Sequence, residues 1–69
     1  MKTLDYQPSP LTMVTLAIRE SLEMFQQNQC DGVRWEFNGI PMITSKYSTF
    51  ENLYEGYMRK TEERYQNNP

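Results

Sequence analysis

The side chains that could do chemistry in this chain are few, and their spacing assembles no recognisable catalytic site. Glu20 and Glu23 could act as a carboxylate pair, and Asp31 and Glu36 could add oxygen ligands for a metal ion. Nothing in the spacing holds four oxygens together, so we interpret these carboxylates as solvated surface groups. The 69 residues include no histidine and one cysteine, Cys30, which removes most support for a zinc site or a Cys/His nucleophile.

The serines are better explained by local structure than by catalysis. Ser9, Ser45 and Ser48 lie where caps and turns are expected, and no histidine is present to activate a hydroxyl as a nucleophile. The sequence therefore predicts a protein that is not an enzyme, with no catalytic, cofactor-binding or metal-binding residues and no cofactor.

Composition restricts the partners. The formal net charge is −2 and no block of Lys or Arg is present, which disfavours nucleic acid as the main partner. No apolar run is long enough to span a membrane, and the first residues lack the apolar centre of a signal peptide. With a single cysteine, a soluble protein of the reducing cytoplasm is expected, without membrane association.

The tyrosines are the candidates for a partner surface. The chain has five, more aromatic area than a small domain readily encloses, and tyrosine is favoured at interfaces. The other aromatic residues are expected to form the core. Base stacking on the tyrosines is an alternative use, but interleaved basic residues are missing. The predicted partner-binding residues are Tyr47, Tyr54, Tyr57, Tyr65 and, for a directional contact, Arg34.

The strongest structural signal is a β-hairpin over residues 33–44. Asn38-Gly39 is the preferred dipeptide for a two-residue type I′ turn, and short β-branched and aromatic runs flank it. Pro41 lacks an N–H and is tolerated only if its strand lies at an edge of the sheet. The predicted register places most of the large apolar groups on one face, with these opposing pairs: Phe37 and Ile40, Trp35 and Met42, Val33 and Thr44.

Two amphipathic helices are predicted around the hairpin. The first begins with Ser9 as N-cap and Pro10 as its first residue and runs to Gln27 or Asn28. The second begins at a capping box formed by Ser48 and Glu51. Its predicted apolar face consists of Phe50, Leu53, Tyr54, Tyr57 and Met58.

A glycine within the second helix needs a reason, because it costs roughly 1 kcal/mol relative to alanine. Gly56 is predicted to permit close approach of the other helix or of the hairpin.

These elements predict an α+β fold of helix, two-stranded antiparallel hairpin and helix (αββα) in a single small domain. The predicted organisation is an extended N-terminal arm over residues 1–8, the αββα domain over residues 9–65 and a frayed tail over residues 66–69.

Short motifs along the chain resemble small early-region accessory proteins of lambda-like phages. This resemblance implies a role in phage development and assigns no chemistry to any residue. The order of helix, exposed hairpin and capped helix also resembles lambda-type head–tail joining proteins, which work inside the virion connector and carry a more basic tail. The motifs are Ser9-Pro10-Leu11, Ser21-Leu22-Glu23, Gly32-Val33, Ile40-Pro41-Met42, Phe50-Glu51-Asn52-Leu53 and Glu62-Glu63.

The leading hypothesis is a small, non-enzymatic, phage-type protein that binds and modulates a host or phage protein, as a monomer or homodimer. The alternative is a virion assembly component that joins head to tail as a ring. Nucleic-acid binding is a third hypothesis, which predicts retention of DNA that depends on salt concentration.

Overall fold

The computed structural model describes residues 2–66, with side chains described up to residue 63. Its elements, in chain order, are strand β1 (Thr3–Tyr6), helix α1 (Val14–Gln27), strand β2 (Gly32–Phe37), strand β3 (Ile40–Thr44) and helix α2 (Phe50–Gln66). The three strands form one mixed sheet in the order β1-β2-β3, with β1 parallel to β2 and β2 antiparallel to β3.

The predicted αββα fold with a two-stranded antiparallel sheet is wrong, because the expected N-terminal arm contributes a third strand. Thr3 to Tyr6 pair in parallel with Gly32 to Trp35. The start of β1 is held by Asp31, whose N–H donates to the carbonyl of Lys2 at 2.7 Å and whose carboxylate accepts from the N–H of Lys2 at 2.7 Å. The architecture is therefore βαββα, and the predicted tail beyond residue 66 lies outside the described residues.

The hairpin has the predicted turn and register. Asn38 and Gly39 have φ angles of 52° and 77°, as a type I′ turn requires. Phe37 pairs with Ile40, and the register continues through Trp35 with Met42 and Val33 with Thr44. β3 is an edge strand, which explains why Pro41 is tolerated.

Helix α1 starts later than predicted. Ser9 and Pro10 form a turn instead of the first helical residues, closed by a 2.9 Å hydrogen bond from the N–H of Thr12 to the carbonyl of Ser9. Met13 is the N-cap residue, and Leu11, which belongs to the first turn of the predicted helix, is 94% exposed. The turn is needed because the chain must leave β1 before it can cross the sheet.

The cap of α2 lies one residue later than predicted. Thr49 and Asn52 form a reciprocal pair: the N–H of Asn52 donates to Oγ1 of Thr49 at 3.2 Å, and the N–H of Thr49 donates to Oδ1 of Asn52 at 3.0 Å. Ser48 stabilises the preceding turn instead, where its Oγ accepts from the N–H of Ser45 at 2.9 Å. The asparagine amide thus takes the place of the expected glutamate carboxylate.

Both helices pack on one face of the sheet and leave the other face open. Side chains alternate along each strand, so one face is buried under the helices and the opposite face is exposed. The core consists of Ala17, Ile18, Val33, Trp35, Ile40, Met42, Leu53 and Tyr57. The open face carries Thr3, Asp5, Arg34, Glu36, Pro41 and Ile43.

A chain of hydrogen bonds crosses this core. The indole N–H of Trp35 donates to Oγ1 of Thr44 at 3.0 Å. Oγ1 of Thr44 lies 2.9 Å from Oγ of Ser21, and the hydroxyl of Ser21 donates to the carbonyl of Ile18 at 2.8 Å. Since the proton of Ser21 goes to Ile18, the hydroxyl of Thr44 must donate to Ser21. Thr44 and Ser21 are fully buried, so each polar group depends on the next for its partner.

Replacing Thr44 with valine should reduce the free energy of unfolding by about 1–3 kcal/mol, because the buried indole N–H of Trp35 then lacks an acceptor. Valine has nearly the shape of threonine, so the loss reports the polar contact and not a cavity. Urea denaturation followed by tryptophan fluorescence measures it. Thr44→Ser keeps the hydroxyl and should lose only about 0.8 kcal/mol for the missing methyl group; a Thr44→Val variant as stable as the wild type would contradict the prediction.

Candidate protein-binding groove

The structure places Tyr57 in the core and not on a partner surface. Its side chain is 7% exposed and its ring packs edge-on against Phe37, with centroids 5.8 Å apart. Its hydroxyl accepts a hydrogen bond from Nδ2 of Asn38 at 3.1 Å, which joins α2 to the hairpin turn. Tyr57 therefore offers little surface to a partner in the folded domain.

Two of the other predicted tyrosines are exposed, in different surroundings. Tyr47 is 78% exposed and has the ammonium of Lys46 4.9 Å from its ring centroid. Tyr54 is 37% exposed and stacks on Phe50 at a centroid distance of 6.1 Å. The side chain of Tyr65 lies outside the described residues.

The predicted site residues whose side chains the structure describes do not form one surface. Arg34 lies on the open face of the sheet, where its Nε is 3.0 Å from Oδ1 of Asp5. Tyr47 borders a cleft with Phe25 and Cys30, whereas Tyr54 borders a shallow depression on the helical side of the domain. Arg34 also lines a third concave surface, whose lining is more apolar than that of the other two.

That surface is a groove between β3 and α2, with a volume of about 430 Å³. Strand β3 supplies its apolar wall, and one face of α2 supplies the opposite wall, where Asn52, Gly56 and Lys60 recur every four residues. We call it the β3–α2 groove. Its lining residues are Arg34, Pro41, Met42, Ile43, Asn52, Leu53, Gly56 and Lys60.

Gly56 leaves this groove open. A Cβ atom built on Gly56 would meet no atom within 4 Å, so the predicted close approach of another element at this position is wrong. The missing side chain instead provides space between α2 and β3. Gly56 followed by Lys60 on the same face is the sequence signal for the groove, and it cannot be separated from a packing glycine without the fold.

Basic groups lie at the rim of the apolar groove. The ammonium of Lys60 donates to the carbonyl of Pro41 at 3.0 Å and retains two further N–H donors. The guanidinium of Arg34 donates to Asp5 through Nε, and its two terminal amino groups carry four further N–H donors. The groove therefore combines an apolar floor with donors suited to a carboxylate.

A second polar contact lies at the other side of the domain. The hydroxyl of Tyr6 donates to Oε2 of Glu20 at 2.8 Å, and its ring lies against Trp35 with centroids 6.4 Å apart. Burial, followed by the hydrogen bond to Glu20 and the charge of that carboxylate, raises the pKa of Tyr6 to about 12. This contact attaches β1 to α1.

Within residues 2–66, no group of three or more Cys, Asp or Glu side chains is placed to hold a metal ion. Neither helix, as far as the structure describes them, is long and apolar enough to cross a membrane.

Comparisons of the chain with protein-family models, with curated protein sequences and with solved structures found no match. The β3–α2 groove is therefore assigned from its geometry alone.

Replacing Gly56 with alanine should raise the free energy of unfolding by about 0.5–1 kcal/mol, because alanine favours the helix and its Cβ meets no neighbour. Thermal or urea denaturation measures the gain. A loss of stability would show that β3 and α2 lie closer together at this position than the structure indicates.

The pH dependence of stability should report the Tyr6–Glu20 contact. The folded-state pKa of about 12 lies above the ordinary value of 10.0, so the stabilisation is complete below pH 10 and is lost as pH rises through about 12. Urea denaturation of the wild type and of Tyr6→Phe over this range should show a smaller decline in the variant. Equal declines would contradict the assignment.

Proposed function

We propose that this chain is a small non-enzymatic domain that binds and modulates a phage or host protein, and that the β3–α2 groove receives the partner. The observation that carries the proposal is an open apolar concavity on a domain this small, left unfilled by Gly56 and bordered by Arg34 and Lys60. Exposed apolar surface has a solvation cost that a binding site offsets when it is occupied.

The chemistry of the groove suits one kind of partner. Its floor suits one or two apolar side chains, packed between Ile43 and the face of α2 that carries Gly56. Ile43 is 57% exposed although it is a large aliphatic residue, so contact with a partner would remove that surface from water. Arg34 and Lys60 then favour a carboxylate beside the apolar group, and the expected ligand is an acidic, apolar segment of a protein.

The groove is a better candidate than the tyrosines that the sequence suggests. Tyr57 is buried, Tyr47 borders a smaller cleft, and Tyr54 borders a separate shallow depression. A small interface needs a compact central cluster of anchors surrounded by contacts that exclude water. The groove provides such a cluster, and its lining includes Arg34, the residue that the sequence favours for a directional contact.

The partner is sought with the tagged 69-residue chain in lysates of uninfected and phage-infected bacteria. Each captured protein is then purified for direct titration. Lys60→Glu should weaken its binding by about tenfold or more, because a rim cation becomes an anion facing the acidic segment. Lys46→Glu makes the same charge change in the loop between β3 and α2 and should leave the affinity nearly unchanged.

A second pair of variants tests the volume of the groove. Gly56→Leu places a large side chain in the groove and should block binding. Gly56→Ala raises the helix propensity by a similar amount but fills much less of the groove, so it is the matched control. Circular dichroism confirms that each variant is folded. The proposal is wrong if no captured protein binds Lys60→Glu more weakly than Lys46→Glu and Gly56→Leu more weakly than Gly56→Ala.

A further inference from the structure

The two edges of the sheet differ in how their backbone groups are used. On the outer edge of β3, Pro41 has no N–H to donate, and its carbonyl already accepts a hydrogen bond from Lys60 at 3.0 Å. Proline and lysine on an edge strand are known means of preventing further strand addition. Strand β1 forms the opposite edge, and its four residues include neither proline nor lysine.

The pairing of β1 determines which of its groups face outward. The carbonyl and N–H of Lys2 both turn toward Asp31, at the start of β2. In a parallel ladder, residues alternate in the direction of their backbone groups, so Leu4 and Tyr6 also turn toward β2. Thr3 and Asp5 therefore direct their N–H and carbonyl groups away from the sheet.

We propose that the outer edge of β1 pairs antiparallel with β1 of a second copy of this chain, about a two-fold axis through Leu4. Thr3 then lies opposite Asp5 of the second copy, and the reverse pair follows by symmetry. Thr3 and Asp5 are the residues whose groups face outward, so each pair exchanges two N–H···O bonds. The two three-stranded sheets become one continuous sheet.

The side chains in this register are complementary. On the open face, the hydroxyl of Thr3 can donate to the carboxylate of Asp5 in the second copy. On the helical face, Lys2 of one copy lies opposite Tyr6 of the other, whose hydroxyl donates a hydrogen bond to Glu20. The ammonium of Lys2 is therefore on the same side as a carboxylate of the second copy. Leu4 meets Leu4 at the axis, in a non-hydrogen-bonded pair where side chains are closest. This pairing places no like charges directly opposite one another.

An exposed apolar flank of α1 lies beside the same edge. Glu20 contacts Tyr6 of β1, whereas Arg19 lies on the other flank, with its guanidinium 5.8 Å from the ring centroid of Phe50. Leu16 is one turn before Glu20, and Met13 is a further three residues back, so both lie toward the β1 side. They are 49% and 72% exposed, and a second copy on β1 would cover part of this surface.

These features favour a second copy over an unrelated strand. A two-fold interface must be complementary to itself, and the outward residues of β1, its charges and the apolar flank of α1 all satisfy that condition together. The dimer does not use the β3–α2 groove, so the proposal is independent of the proposed function.

Analytical ultracentrifugation of the purified chain tests the dimer. The wild type should sediment as a concentration-dependent dimer, and Thr3→Pro should be a monomer, because proline removes an outward N–H and leaves the ladder between β1 and β2 intact. Ile43→Pro is the matched control, since it removes an outward N–H from β3, and it should remain a dimer. Circular dichroism establishes that both variants are folded.

A disulfide determines the register. In a Cys30→Ser background, Leu4→Cys should oxidise to a covalent dimer, because the two sulfurs meet at the axis within disulfide reach. Asp5→Cys should crosslink much less, since Asp5 lies opposite Thr3. A wild type that is monomeric at every concentration, a Thr3→Pro variant that still dimerises, or equal crosslinking of the two cysteine variants would overturn the proposal.

Discussion

The buried hydrogen-bond chain from Trp35 through Thr44 and Ser21 to Ile18 is the constraint on which the rest of the structure depends. It joins β2, β3 and α1 within a core of few residues. A slip of one residue in β3 would turn Thr44 to the open face and leave the indole of Trp35 without an acceptor. Apolar packing tolerates small shifts, but these hydrogen bonds have a single satisfied arrangement. The position of β3, and therefore one wall of the β3–α2 groove, follows from it.

The parts of the fold that the sequence predicts correctly depend on local chemistry. Asn38 and Gly39 determine the turn, and alternation on either side then determines the register of the hairpin. Strand β1 escapes prediction because its partner is distant: Asp5 and Arg34, which pair across β1 and β2, are 29 residues apart. Parallel strands are not joined by a short turn, so no turn dipeptide marks the pair in the sequence. Four residues are also too few to show a clear alternation of apolar and polar side chains.

In the candidate site, too, local sequence predicts some features and the packing of distant elements decides the others. Side chains that could anchor a partner are visible in the sequence, but which of them are exposed depends on how far each helix is rotated. Tyr57 belongs to the buried face of α2 and Tyr54 to its margin, three residues apart. Gly56 is unusual because it lies inside a helix. The periodicity of the helix does not show whether this glycine permits a close contact or leaves a groove open. The three-dimensional packing of α2 against β3 decides it.

The parallel pairing of β1 also imposes an order of assembly. The hairpin closes over a two-residue turn and can form within about 1–10 μs, whereas β1 must close a much longer loop that contains α1. On the ribosome, β1 is made before β2, so it has no strand to join until residues 32–35 have emerged. Because the hairpin loop is much the shorter of the two, the hairpin forms before β1 joins it. Until β1 joins, the backbone groups of Gly32 and Arg34 on the free side of β2 have no strand to pair with, so a foreign strand could compete for the place of β1.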